Sequence, residues 1–282
     1  MPGPGNTIQS FSIAAGATLG TVLKRPPIAP LEARILLAHA LQLSRVQLIT
    51  QSERALTGEE ATSLSALFQR RISGEPIAYL VGEREFFGLP LHTTPDVLIP
   101  RPETELLVEL ALDRLPPNGR VLDMGTGSGA IAIAIAHMRP DACVTALDVS
   151  KAALDVARRN AARHGAQVEF LCSNWFNALT LEQFDIIVAN PPYIVEADPH
   201  LSQGDLRFEP IDALTDHADG LSALRCIIDG APNHLAPSGW LLMEHGYNQA
   251  PAVQELLVKQ GFHEAQSWKD LAGIERISGA VR

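Results

Sequence analysis

Asn190-Pro191-Pro192-Tyr193 joins a side-chain amide, two rings that fix the backbone and an aromatic face. Consecutive prolines lock φ and hold the neighbouring carbonyls in one array. The Asn190 oxygen and the Pro191 carbonyl can then accept the two hydrogens of a planar NH2 group, with Pro192 stiffening the turn and Tyr193 stacking on the π-face. A conjugated NH2 is a poor nucleophile, because its lone pair is delocalised. Two acceptors turn that lone pair towards an electrophile and stabilise the positive charge that develops on nitrogen. Hydrogen bonds to charged groups contribute about 1.5–3 kcal/mol each, and in-line positioning roughly 7–11 kcal/mol at most. No strong general base is required, since the nitrogen becomes acidic once alkylated.

A second group lies upstream, in Asp123-Met124-Gly125-Thr126-Gly127-Ser128-Gly129. Its glycines lack the Cβ that would keep a ligand from the backbone. Alone the turn is ambiguous, because Gly125-x-Gly127-x-x-Ala130 also fits a dinucleotide fingerprint, with Asp148 about 20 residues on where a ribose-binding carboxylate belongs. Two features favour S-adenosylmethionine. Asp123, two residues before the first glycine, suits an amino-acid ammonium and suits a pyrophosphate poorly. The chain also carries the nitrogen grip downstream and shows no hydride-acceptor pocket. Asp148 is expected to accept both ribose hydroxyls, Trp175 to lie against adenine and the Asn174 amide to pair with the base edge. The bland readings are a carboxylate at a helix start beside Ser150 and a core tryptophan covering a sheet end. Together the two groups read as a methyl-donor site beside a nitrogen-acceptor site.

The elements that must position these residues change character along the chain. Residues from about 10 to 74 read as helices only, a small bundle of four or five. Pro30 opens one helix, with Leu31, Ile35, Leu36, Leu37 and Leu41 at helical spacing. Thr57-x-x-Glu60 forms a capping box before Leu64, Leu67, Phe68 and Ile72, and Gly74 ends that helix. Residues 76–100 read as a β-hairpin linker, and 101–282 as a separate α/β domain. Strands are expected near 121–123, 144–147, 168–172, 184–189, 240–244, 262–267 and 275–281, with helices between them. That alternation implies a mostly parallel sheet covered on both faces. Residues 190–219 show no clear element, and an irregular stretch of that length after a strand end is often functional.

Composition narrows the classes further. The 282-residue chain holds 22 Lys+Arg against 32 Asp+Glu, a net charge of −10, with 46% hydrophobic residues. Duplex binders cluster basic residues to neutralise several phosphates. Here only short pairs occur, Arg70-Arg71 and Arg158-Arg159, on helices where a solvated face is expected. Cys143, Cys172 and Cys226 are few and scattered, so neither a disulfide framework nor a metal site is expected, and a reducing cytoplasm fits. Cys143 and Cys172 lie in strand patterns and are expected to be buried. Met1–Asn6 has neither the basic region nor the apolar core of a signal peptide and is expected to be disordered, and no apolar run is long enough to span a bilayer.

At this point the chain resembles the protein-(glutamine-N5) methyltransferases of peptide chain release factors, the HemK/PrmC group. The likeness rests on ordered motifs over nearly the whole length: Glu75-Pro-Ile-Ala-Tyr-Leu-Val-Gly82, Glu85-Phe-Phe-Gly88, Val97-Leu-Ile-Pro-Arg-Pro-Glu-Thr-Glu105, Leu122-Asp-Met-Gly-Thr-Gly-Ser-Gly129, Asn190–Tyr193, Arg207-Phe-Glu-Pro210 and Asp270-Leu-Ala-Gly273. The resemblance implies a seven-stranded Rossmann-like methyltransferase domain joined by a hairpin to a small helical domain; that domain, residues 1–75, carries no catalytic constellation and is expected to help dock the substrate. It implies S-adenosylmethionine as cofactor, S-adenosylhomocysteine as product and the glutamine of the release factor Gly-Gly-Gln loop as acceptor. The implied cofactor contacts are Gly125, Thr126, Gly127, Ser128, Gly129, Asp148, Trp175 and Asn190; the implied substrate grip is Asn190, Pro191, Pro192 and Tyr193. Asn174 departs from the family, which more often has Asp there. Arg101 and Glu103 are expected either to order a loop over the site or to form a plain ion pair at a helix start. The rivals are an adenine-N6 nucleic acid methyltransferase, disfavoured by charge, a nicotinamide dehydrogenase, and a binding module that holds cofactor without turnover.

Overall fold

The computed structural model describes residues 11–282, so the expectation for Met1–Asn6 lies outside the described residues. The chain forms two compact units that meet in sequence between Gly82 and Glu83.

The first unit holds helices α1 (Leu19–Lys24), α2 (Pro30–Leu41), α3 (Arg45–Thr50), α4 (Gly58–Ile72) and α5 (Ile77–Val81). Short helices need satisfied ends. Thr18 accepts from the Thr21 N–H, and both Ser44 with Gln47 and Thr57 with Glu60 complete capping boxes. Leu36, Leu37, Leu64 and Phe68 form the core with Leu80. Leu31 points to solvent, so the buried face of α2 is the narrower set Ala33, Leu36 and Leu37. Residues 77–81, expected within a hairpin linker, are helical instead. Pro76 precedes the helix, Gly82 at φ 77° ends it, and Leu80 is buried among the helices. The hairpin proper is β1 (Glu83–Phe86) and β2 (Leu89–His92). Its two-residue turn has positive φ at Phe87 and Gly88, which suits the twist of paired strands.

The second unit continues with α6 (Glu105–Arg114), β3 (Arg120–Met124), α7 (Ala130–Met138), β4 (Cys143–Asp148), α8 (Lys151–His164), β5 (Val168–Cys172), β6 (Phe184–Ala189), α9 (Ile211–Leu214), α10 (Ser222–Gly230), β7 (Leu235–Glu244), α11 (Ala250–Lys259), β8 (His263–Lys269) and β9 (Glu275–Val281). Strands β3 to β9 form one seven-stranded sheet in the order β5-β4-β3-β6-β7-β9-β8. Every pair is parallel except those made by β9. Alternate residues divide between two cores. Val121, Val144, Ala146, Ile186 and Val188 pack with α6 and α7 on one face, whereas Leu122, Met124, Ile187, Leu241 and Met243 pack with α10 and α11 on the other. Helix α7 is apolar all round and buried from Ala130 to Ala136, as a helix enclosed on every side must be.

Two expectations are corrected. Cys143 and Cys172 are exposed. Cys143 is the first residue of β4, outside the sheet's packed centre, and Cys172 ends β5, the edge strand. Residues 190–219 are also less irregular than expected. They contain 3-10 turns at Pro199–Ser202 and Leu206–Phe208 as well as α9, and an Ile194–Thr215 bridge ties the segment's ends together.

Candidate active site

Chain direction reverses its order about β3: β4 lies on one side and β6 on the other. The crevice beyond the carboxyl ends of such neighbouring strands is where open α/β sheets bind ligands. The turn after β3 and Asn190, which follows β6, both open there. A cavity of about 270 Å³ lies at this edge, walled by Gly125, Gly127, Asp148, Trp175, Asn190 and Pro192 among others.

The glycine turn is held by its neighbours. The N–H groups of Gly125 and Thr126 both donate to the Leu147 carbonyl at 2.9 Å, and the Gly127 N–H donates to Asp148 Oδ2 at 2.9 Å. Gly125 and Gly127 have φ of 73° and 56°, and a Cβ on either would project into open space. Gly129 differs. Its φ is 84°, and a Cβ would lie 2.7 Å from Ile133 Cδ1 and 3.1 Å from the Ala157 Cβ. It therefore serves the close approach of α7 and α8, and it does not line the cavity. Ser128 is buried, and its carbonyl accepts from Asn160 Nδ2 at 2.9 Å.

Asp123, two residues before the turn, is fully buried and does not line the cavity. Its Oδ2 accepts from the Thr126 hydroxyl at 2.6 Å and the Ala132 N–H at 3.2 Å, while Oδ1 has no partner. Burial pushes this carboxyl up to about 7. An orphaned buried carboxylate oxygen is costly, and beside a ligand cavity it is an acceptor suited to a cationic group. Asp148 accepts from Ser150 N–H through Oδ1 at 2.8 Å and lines the cavity, with its carboxyl raised by burial. Two backbone N–H groups still leave lone pairs on both of its oxygens. Trp175 stands at φ 47°, a strained conformation for so large a residue, pinned through its carbonyl by the Ser173 hydroxyl at 2.6 Å. It touches the α10 face of the core and also lines the cavity, as does Asn174. These groups fit S-adenosylmethionine: an unpaired buried acceptor, a glycine turn, a cavity-wall carboxylate with free lone pairs and an indole face.

Asn190 donates through Nδ2 to the Thr104 hydroxyl at 3.1 Å. Tyr193 donates its hydroxyl to Glu244 Oε1 at 3.1 Å, and its carbonyl accepts from Gln249 Nε2 at 3.1 Å. Burial holds the Tyr193 phenol well above the usual range, so it stays protonated. Asn190 and Pro192 line the cavity; Pro191 and Tyr193 do not. Arg101 bonds Glu209 at 2.5 Å, and Glu209 also accepts from the Ile99 N–H at 3.0 Å. This ion pair ties the irregular segment leading into α6 to the long 190–219 segment, whereas Glu103 is exposed. Sequence reasoning missed Thr104 and Glu244. The available signal was Glu244 itself, an acid closing the apolar run Trp240–Met243 on the strand beside Asn190's.

Residues 21–82 match the PrmC N-terminal domain, and residues 102–204 match the Methyltransferase small domain. The chain is 56% identical over 272 residues to the release factor glutamine methyltransferase of Burkholderia pseudomallei (strain K96243), spanning 93% of this chain and 95% of that one. Against the release factor glutamine methyltransferase of Escherichia coli (strain K12), identity is 46% over 250 residues, 88% of this chain and 90% of that one. A solved methyltransferase from Pyrococcus furiosus superposes with a TM-score of 0.54 at 19% identity, covering 75% of this chain and 95% of that one. The Thermus thermophilus 16S rRNA N2 G1207 methyltransferase, solved with AdoMet and guanosine, gives 0.53 at 24% identity, covering 71% and 49%. These structural likenesses speak to the fold. Sequence identity of this order, sustained over nearly the full length of both proteins, makes the chain a member of the release factor glutamine methyltransferase family, enzymes that use S-adenosylmethionine.

Proposed function

We propose that this protein transfers a methyl group from S-adenosylmethionine to the N5 amide nitrogen of the glutamine in the Gly-Gly-Gln loop of peptide chain release factors. The cofactor supplies an electrophilic methyl on a sulfonium. The backbone at Gly125 and Gly127 would hold its amino-acid portion, with the buried Asp123 carboxylate two residues before that turn attracting its ammonium, Asp148 would accept its ribose hydroxyls, and Trp175 with Asn174 would meet its adenine. Asn190 Oδ1 and the Pro191 carbonyl accept from the substrate amide, Pro192 shapes the entrance and Tyr193 supports the planar group. The amide nitrogen loses its proton to solvent after transfer. What supports this reading most is Asn190: it belongs both to the cavity wall that carries the glycine turn and to the Asn-Pro-Pro-Tyr grip.

The helical unit is assigned to docking of the protein substrate. The acceptor is a component of translation, which puts the reaction in the cytoplasm. No described helix is long and apolar enough to cross a membrane. Against stable nucleic acid binding stand the net charge of −10 and the local pairing of the basic residues: Arg70 with Glu75, Arg71 with Glu32 and Arg158 with Asp155. A labelled-methyl transfer assay tests the reading with release factor, a release factor whose loop glutamine is replaced, and DNA as acceptors. Label on the first alone is expected, with Asn190→Ala lowering turnover by roughly 10²–10³. Equal label on the glutamine-replaced factor, or preferential label on DNA, overturns it.

A further inference from the structure

An asparagine can grip an NH2 group only if its oxygen faces that group; turned over, it presents NH2 to NH2. The two orientations have nearly the same shape, so something beyond packing must choose between them. Thr104, 4% exposed at the start of α6, and Glu244, 1% exposed at the end of β7, lie behind Asn190. Strand pairing brings Glu244 close to Asn190, and the turn before α6 delivers Thr104. Ala189 is opposite Met243, so Asn190 and Glu244 each stand one residue beyond a paired position on adjacent strands. The Thr104 hydroxyl lies 2.6 Å from Glu244 Oε2 and 3.1 Å from Asn190 Nδ2, and the Tyr193 hydroxyl lies 3.1 Å from Glu244 Oε1.

Proton bookkeeping orients the chain of bonds. Burial raises the Glu244 carboxyl, and the bonds from Thr104 and Tyr193 favour its ionised form; ionised, it only accepts, and a threonine hydroxyl has one proton. Thr104 gives that proton to Glu244, so only lone pairs of its oxygen remain for Asn190. Asn190 must meet them with its NH2, which turns Oδ1 the other way. The same carboxylate takes the proton of Tyr193, so one buried acid holds both ends of Asn-Pro-Pro-Tyr. We propose that Thr104 and Glu244 are positioning residues that fix the Asn190 amide with its oxygen towards the acceptor nitrogen. The inference rests on the acceptor role assigned to Asn190 above, and it adds how that role is enforced.

The test is a double-mutant cycle on the full-length enzyme with release factor as acceptor. Thr104→Val keeps the shape and removes the hydroxyl. It is expected to lower kcat about 10- to 100-fold, less than loss of Asn190 itself, with cofactor affinity unchanged by calorimetry. Thr104→Ser, which restores the hydroxyl, is expected to recover most of that loss. In the Asn190→Ala background, Thr104→Val is expected to change kcat less than about two-fold, because the amide it acts through is gone. Should the valine fail to fold, Thr104→Ala enters the same cycle. Wild-type kcat in Thr104→Val, or an undiminished loss in the Asn190→Ala background, overturns the inference. Normal turnover by Asn190→Ala alone strikes instead at the acceptor role, so the two failures are separable.

Discussion

At the scale of single residues, the site turns on carboxylates that do different work because their surroundings differ. Asp148 keeps backbone donors on both oxygens and still borders the cavity, so Asp148→Ala should weaken S-adenosylmethionine binding by about tenfold or more, the loss expected for hydrogen bonds to a charged group. Turnover at saturating cofactor should fall far less, and calorimetry beside steady-state kinetics reads both numbers. Asp123 is buried with one oxygen unpaired, and its carboxyl is raised to about 7. An unfolded chain would place it near the ordinary value of about 3.9. The folded state therefore holds the extra proton between those values. The stability this contributes is fully present below about pH 4 and is lost as pH rises through about 7, a change on the order of 4 kcal/mol. Urea denaturation of the cofactor-free protein across that window should show the decline. Asp123→Asn, which cannot ionise, should lack that part of the slope; an identical slope in the variant would contradict the assignment.

At the scale of elements, the glycines after β3 divide into two kinds that sequence alone treats as one motif. Gly125 and Gly127 line the cavity and would send a Cβ into open space, whereas Gly129 would send one against Ile133 and Ala157. Gly129→Ala is thus expected to cost about 1–3 kcal/mol of stability through positive φ and overpacking between α7 and α8. Its melting temperature should drop with or without cofactor. Gly125→Ala should show its larger effect in cofactor affinity. The legible part of this level was considerable. The capping boxes, the opening proline of α2 and the positions of the strand-forming hydrophobic runs all follow local rules of spacing and hydrogen bonding. What misled was context: residues 77–81 carry strand-like aromatic and aliphatic side chains, yet Leu80 finds its burial among helices, and tertiary burial outweighs local propensity.

At the scale of the whole molecule, the boundary after Gly82 matters for any dissection. A chain cut at residue 74 would keep α5 and strip Leu80 of its partners, exposing apolar surface. A chain beginning at Glu83 is therefore expected to bind S-adenosylmethionine with near-normal affinity and to lose methylation of intact release factor. Persistent methylation would move docking to the α/β unit. The sequence by itself determined the class of fold and the family likeness and marked the glycine turn and Asn-Pro-Pro-Tyr as candidates, because each depends on residues close together in the chain whose spacing is dictated by strand ends and turns. Only the tertiary structure decided which glycines border the cavity and which packs against a neighbouring helix, that Asp123 is buried with one oxygen spare, and that Arg101 joins Glu209. It also decided that Thr104 and Glu244, 86 and 54 positions from Asn190, stand behind its amide. Those contacts arise from strand order in the sheet, and no local pattern encodes which distant side chain a parallel neighbour will bring alongside.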